Sequence, residues 1–196
     1  MFTSIARFET RYQLRNPAFW AAVVLFFLLT FVIMTVDGAH IGSGGNVHIN
    51  SPVAVVQIQI VMSLCFMFVT AAFVANVVVR DDESKFSGIV RSTRVDKVAY
   101  LLGRFSGAFL GACIAFLVVP LAIWLGSLMP WLDPASVGAT RIGDQLFAYF
   151  LLALPNLFLT SAIFFAVACA TRSVTYSYVG VVLFLFLYIE IGRAHV

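Results

Sequence analysis

The sequence predicts an all-α fold, a polytopic membrane helix bundle. Three observations carry this. The 196 residues are 62% hydrophobic and only 11% charged, whereas a water-soluble domain carries about 25% charged residues. The apolar residues fall in uncharged runs long enough to cross a bilayer. Of the 21 charged residues, ten lie in one stretch, Arg80 to Arg104. The expected architecture is an interfacial N-terminal helix, four complete spans and a truncated fifth.

Residues 1–17 are amphipathic. Phe2, Ile5, Phe8 and Tyr12 recur at helical spacing, and Arg7, Arg11 and Arg15 form a second stripe. This pattern suits a helix lying in the membrane interface, with its apolar face toward lipid and its arginines toward anionic headgroups. Asn16-Pro17 ends it. The first span, 18–36, has 19 uncharged residues, about 28 Å of helix. It is too long for a signal peptide, and no small-residue cleavage site follows it.

Residues 37–52 read as a loop, with four glycines and no Lys or Arg. Asp37, His40 and His48 match no zinc spacing, and a polar loop accounts for them equally well. Ser51-Pro52 has the form of a helix N-cap followed by proline at the first helical position. The second span, 53–79, contains Gln57, Gln59 and Asn76. Amides in a bilayer need partners, so these are expected to face other helices.

The charged segment 80–104 follows, and a third span covers 105–129. Gly103, Gly107 and Gly111 repeat at four-residue steps, a stripe of small residues that lets another backbone approach. Pro120 is expected to kink this span. Residues 130–145 form a second loop. The fourth span, 146–170, contains Pro155, whose freed carbonyl Asn156 is placed to satisfy. A fifth span begins at 176 and runs to 190.

Charge orients the array. Residues 1–17, 80–104 and 171–175 hold ten Lys/Arg, against one in 130–145 and none in 37–52. The positive-inside rule then puts the N-terminus in the cytoplasm. A net charge of +3 makes no case for nucleic acid. The three cysteines lie within apolar runs and read as packing residues.

The last six residues, Ile191-Gly192-Arg193-Ala194-His195-Val196, back-translate to the opening of a common short-read sequencing adapter. They are read as adapter read-through, and 1–190 as the N-terminal fragment of a longer protein. No nucleotide-binding, protease or hydrolase motif occurs, so no enzyme activity is expected of these residues. Asp81-Asp82-Glu83 reads as a helix start, where acidic residues suit the positive end of the helix dipole without a metal.

Between the second and third spans, Glu83-Ser84, then Ser92-Thr93-Arg94-Val95-Asp96-Lys97, then Leu101-Leu102-Gly103-Arg104 resemble the loop pattern of the permease subunit of type 2 ABC transporters. Lys85 replaces that family's usual glycine and Arg94 its proline. The opening, FETRYQLRNPAFW, is similar to bacterial permeases fused to a zinc aminopeptidase domain far downstream.

The resemblance implies a multi-pass inner (plasma) membrane subunit, an exporter, paired with a second permease copy or homologue. It also implies a separate ABC ATP-binding subunit that carries ATP and Mg, with no cofactor on this chain. On that pattern the residues near 81–90 form a coupling helix. Phe86, Ile89 and Val90 would be its apolar contacts to the ATPase, with Asp81, Asp82, Glu83, Arg91 and Arg94 as the polar rim. A secondary transporter would place ionisable residues at mid-membrane, which these spans lack. A membrane anchor or assembly subunit would use the Gly103, Gly107 and Gly111 face for association alone.

Overall fold

A computed structural model describes residues 2–36, 38–43, 47–83 and 96–193; at 81–83 and 191–193 the description is of the backbone. Among the described residues every regular element is a helix. In chain order these are α1 (Phe2–Arg15), α2 (Pro17–Thr35), α3 (Pro52–Glu83), α4 (Lys97–Phe116), α5 (Val118–Gly126) and α6 (Ile142–Ala148). A π-helical turn (Tyr149–Ala153), α7 (Leu154–Thr171) and α8 (Val174–Arg193) complete the series. Four stretches, Pro17–Thr35, Pro52–Arg80, Lys97–Gly126 and Ile142–Thr171, are long and apolar enough to cross a membrane. The chain is a helical membrane protein.

Local chemistry sets the helix starts. Asn16 caps α2, its Oδ1 accepting from the Ala18 N–H at 3.0 Å, with Pro17 at the first helical position. That proline has no N–H to leave unpaired and its φ is already helical. Ser51 caps α3 through Oγ, which accepts from Ala54 N–H at 3.3 Å. Asp96 caps α4, accepting from Val98 N–H at 3.1 Å.

Prolines set the internal breaks. The interruption at Leu117 lies three residues before Pro120. A proline at 120 offers no N–H to the Phe116 carbonyl and its ring crowds that carbonyl, so the helix restarts one residue later. Leu117 N–H and Leu121 N–H still close onto Cys113 O and Leu117 O, at 3.2 and 3.3 Å. The π-helical turn immediately precedes Leu154-Pro155 and absorbs the second proline in the same way. Thr171 ends α7, and Arg172 takes a left-handed conformation (φ 51°) that turns the chain into α8.

The helices are longer than the sequence suggests. Residues 97–104, expected as part of the cytoplasmic segment, are the first two turns of α4. Residues 80–83 are the last turn of α3. The fourth span starts at Ile142, where Asp144 and Gln145 occupy a first turn that hydropathy alone places in the preceding loop.

The contacts divide the chain into two compact units. The first comprises residues 1–15, 67–112 and 158–196. Its core is Met67, Ala71, Val74 and Val77 of α3, Ala108 of α4, Phe164 of α7 and Val181 of α8. A cluster of Phe105, Phe109, Phe158 and Phe165, with ring centroids 5.2–6.1 Å apart, joins α4 to α7.

The second unit comprises residues 16–66 and 113–157. A ladder of rings runs through it, from Phe26 to Phe66 (4.8 Å), Phe116 (5.3 Å) and Tyr149 (6.3 Å). α2 and α5 pack side by side, close enough that a Cβ on Gly126 would stand 2.7 Å from Met34 Cβ. Two loops of this unit are tied by a reciprocal pair: Asn50 Nδ2 donates to Gly138 O at 2.7 Å, and Gly138 N–H donates to Asn50 Oδ1 at 2.8 Å.

Candidate functional site

The site lies in the first unit and begins with the glycine stripe of α4. Gly103, Gly107 and Gly111 are buried, and the helix lying on them is α1. A Cβ at Gly103 would meet Ile5 Cβ at 3.1 Å and Phe2 O at 3.2 Å. At Gly107 it would meet Glu9 Cβ at 2.5 Å and Ala6 O at 2.6 Å; at Gly111 it would strike Gln13 Oε1. Thr10 Oγ1 lies 3.0 Å from Ala6 O and 3.2 Å from Gly107 O, bonding α1 to the α4 backbone that the missing side chain exposes.

This contact buries a face of α1 that the sequence reading gave no role. Ala6, Glu9 and Gln13 are buried. Phe2, Phe8 and Tyr12, expected as the apolar face of an interfacial helix, are exposed, and so are Arg7, Arg11 and Arg15. Ile5 is half-buried at the edge of the seam. The helix therefore has three faces: a buried one against the protein, an aromatic one and an arginine one.

Glu9 is the centre of the buried face. Its side chain is 0% exposed, and its Oε2 accepts from two arginines, Arg80 Nη2 at 2.7 Å and Arg104 Nη1. An isolated carboxylate this deep would cost many kcal/mol, so it stands only because it is paired. Tyr12 covers Arg80, with the guanidinium carbon 3.9 Å from the ring centroid. Arg104 Nε donates to Tyr100 Oη at 3.2 Å. The other carboxylate oxygen, Glu9 Oε1, and Gln13 Oε1 are buried with no hydrogen-bond partner among the described residues.

The positions of the two arginines matter as much as their contacts. Arg80 lies in the last turn of α3 and Arg104 in the second turn of α4, so they bracket the charged segment. Arg104 also ends the Leu101–Arg104 tetrapeptide on which the family resemblance partly rests. One carboxylate thus fastens α1 to both helices that enter and leave that segment. The carboxylate is a shared anchor point for α1, α3 and α4 at this level.

Of the residues proposed for the coupling segment, Asp81, Asp82 and Glu83 form the C-terminal end of α3, where a helix start was expected, so the helix dipole does not account for them. Phe86, Ile89, Val90, Arg91 and Arg94 lie outside the described residues. Glu9 carried one legible signal. It is the only acidic residue before Asp37, and it sits on an Ala6-Glu9-Gln13 stripe of the same spacing as a helix face.

The second unit holds buried amides. Gln59 Nε2 donates to Gln145 O at 3.1 Å. Asn156, expected to bond locally to the carbonyl freed by Pro155, also reaches across to α3, its Nδ2 donating to Ser63 Oγ at 2.7 Å. Asn76, expected to face another helix, is exposed.

Comparison with protein-family models finds none that matches the chain, and comparison with curated proteins likewise finds no match.

Proposed function

We propose that the chain is the membrane-spanning permease subunit of an ATP-driven transporter of the type 2 ABC class, converting motion of a separate ATPase into a change of access across the inner membrane. The observation that supports this best is the Glu9 joint. A segment that receives a push from a soluble motor needs a stiff connection to the rest of the membrane domain. Here the two helices flanking residues 84–95 are held to a third by one buried carboxylate with two guanidinium partners. Displacement of the segment then moves α1, α3 and α4 as one body, a rigid switching unit of the kind two-state transporters use. The N-terminus and residues 80–104 are cytoplasmic in this reading, on the side of the basic excess.

The test is isolation of the full chain from its native membrane after mild cross-linking. The expected result is co-purification of an ATP-binding-cassette subunit, lost in a Phe86→Asp/Ile89→Asp double variant. An ATPase that stays bound to the double variant would remove the coupling role of 81–90. Recovery of the chain with no ATPase at all would favour a membrane anchor or assembly subunit.

A further inference from the structure

We propose that the outward face of α1 is a binding surface for anionic phospholipid headgroups, built around Arg7, Arg11 and Arg15. The inference requires only that the chain is membrane-embedded, and it stands apart from the transport reading.

The argument starts from which face α1 buries. At about 100° per residue, the Arg7, Arg11 and Arg15 stripe is centred about 170° from the Ala6, Glu9 and Gln13 stripe. Phe8 and Tyr12 fall between them. They stack on each other with centroids 6.5 Å apart, and Phe8 is 61% exposed. With its polar-small face fixed against α4, the helix presents its arginines away from the protein and its aromatic rings along the flank.

Burial of Glu9 also removes the one charge that would have balanced those arginines. Residues 1–36 contain no other Asp or Glu, and Glu9 is consumed inside by Arg80 and Arg104. The exposed surface of α1 is left with three guanidinium groups and no carboxylate of its own.

Depth identifies the occupant. α2 begins two residues after Arg15 and runs uncharged for 19 residues. A span starting there pins Arg15 at the bilayer surface, so the groups facing the stripe are lipid phosphates. The Phe8 and Tyr12 flank suits the apolar boundary just below them. Guanidinium donors match phosphate oxygens in charge and geometry, and their apolar stems let them reach along the surface from a helix lying in it.

The experiment uses Trp20, which is exposed on α2 and five residues beyond Arg15, as the reporter. The full chain, with Trp124→Phe and Trp131→Phe, is reconstituted in phosphatidylcholine vesicles containing chain-brominated phosphatidylglycerol or chain-brominated phosphatidylcholine. Quenching reads the relative affinity of the two lipids at Trp20. The expected preference for phosphatidylglycerol is roughly fivefold per arginine engaged, reduced at high salt. It disappears in Arg7→Gln/Arg11→Gln/Arg15→Gln, persists in the corresponding triple lysine variant and is unchanged by Lys97→Gln, an exposed basic residue on α4. These arginines are exposed, so unchanged helical circular dichroism is expected of the triple variant and separates loss of binding from loss of fold. Equal quenching by the two lipids in the parent chain overturns the proposal. A preference surviving the triple glutamine variant overturns it, as does one that Lys97→Gln removes equally, since the charge would then act without a site on α1. Loss of the parent preference to inorganic phosphate, beyond that caused by sodium chloride at the same ionic strength, would assign the stripe to free anions and overturn the lipid assignment.

Discussion

Glu9 and Arg104, 95 residues apart in the chain, meet through Glu9 Oε2 and Arg104 Nη1 with side chains 0% and 8% exposed. An ion pair this deep forms only because the rest of the seam excludes water around it. The α4 glycines bring α1 close enough for the carboxylate to reach, and Tyr12 and Tyr100 close over the two guanidinium groups. Removing one partner leaves an uncompensated buried charge, which costs more than the pair's net contribution.

Glu9→Gln is therefore expected to destabilise the protein by about 3–5 kcal/mol, because two guanidinium groups lose their shared counter-charge. Arg104→Lys, which keeps the charge but loses the planar fork, is expected to cost less. Equilibrium unfolding in mixed micelles measures both. A Glu9→Gln variant as stable as the parent would mean that α1 is held by the glycine seam alone.

Gly107→Ala tests the seam itself. The added methyl meets Glu9 Cβ at 2.5 Å and the Ala6 carbonyl at 2.6 Å, and the backbone atom cannot swing aside. The expected loss is about 1–3 kcal/mol, typical of overpacking. Gly143→Ala meets nothing within 4 Å among the described residues and lies in α6, so it is expected to be neutral or slightly stabilising. Parallel melts of the two variants give the contrast; equal effects would refute the close approach of α1.

Ser63 and Asn156 belong to the second unit and are expected to couple to each other. Their 2.7 Å bond joins α3 and α7 within the apolar part of the chain. A double-mutant cycle on Ser63→Ala and Asn156→Ala is expected to return about 0.6 kcal/mol, the average for interhelical side-chain bonds in membranes, and at most about 1.7 kcal/mol. Additive losses would show that both groups find other partners.

The transport reading predicts a separation of functions. Glu9→Gln, assayed at a temperature where the variant stays folded, is expected to keep its ATPase partner, because the docking segment is untouched. Substrate-dependent change in ATP turnover is expected to be lost. Phe86→Asp/Ile89→Asp is expected to lose the partner itself. Pull-down and ATPase assays on the same preparations distinguish the two, and loss of association in Glu9→Gln would place the joint within the docking surface.

The class of molecule and the starts of α2 and α3 were legible in the sequence, because both rest on local chemistry. Uncharged runs cannot stay in water, Asn16 and Ser51 supply the cap oxygens that helix starts need, and Pro120 removes a backbone donor whatever surrounds it. The glycine stripe was equally legible as a place where some helix must pack. Long-range packing set which helix lies there: α1, with Glu9 and not Phe8 turned inward, and it set the bond from Asn156 to Ser63. Glu9 lies 71 and 95 residues from its two partners, so its place on the Ala6-Glu9-Gln13 stripe could hint at a buried face but not at what that face meets. Periodicity shows that a helix has faces. Which face is buried depends on the surface it meets, and here that surface is a row of missing side chains on another helix, which admits the small and polar stripe of α1 and leaves its rings and arginines outside.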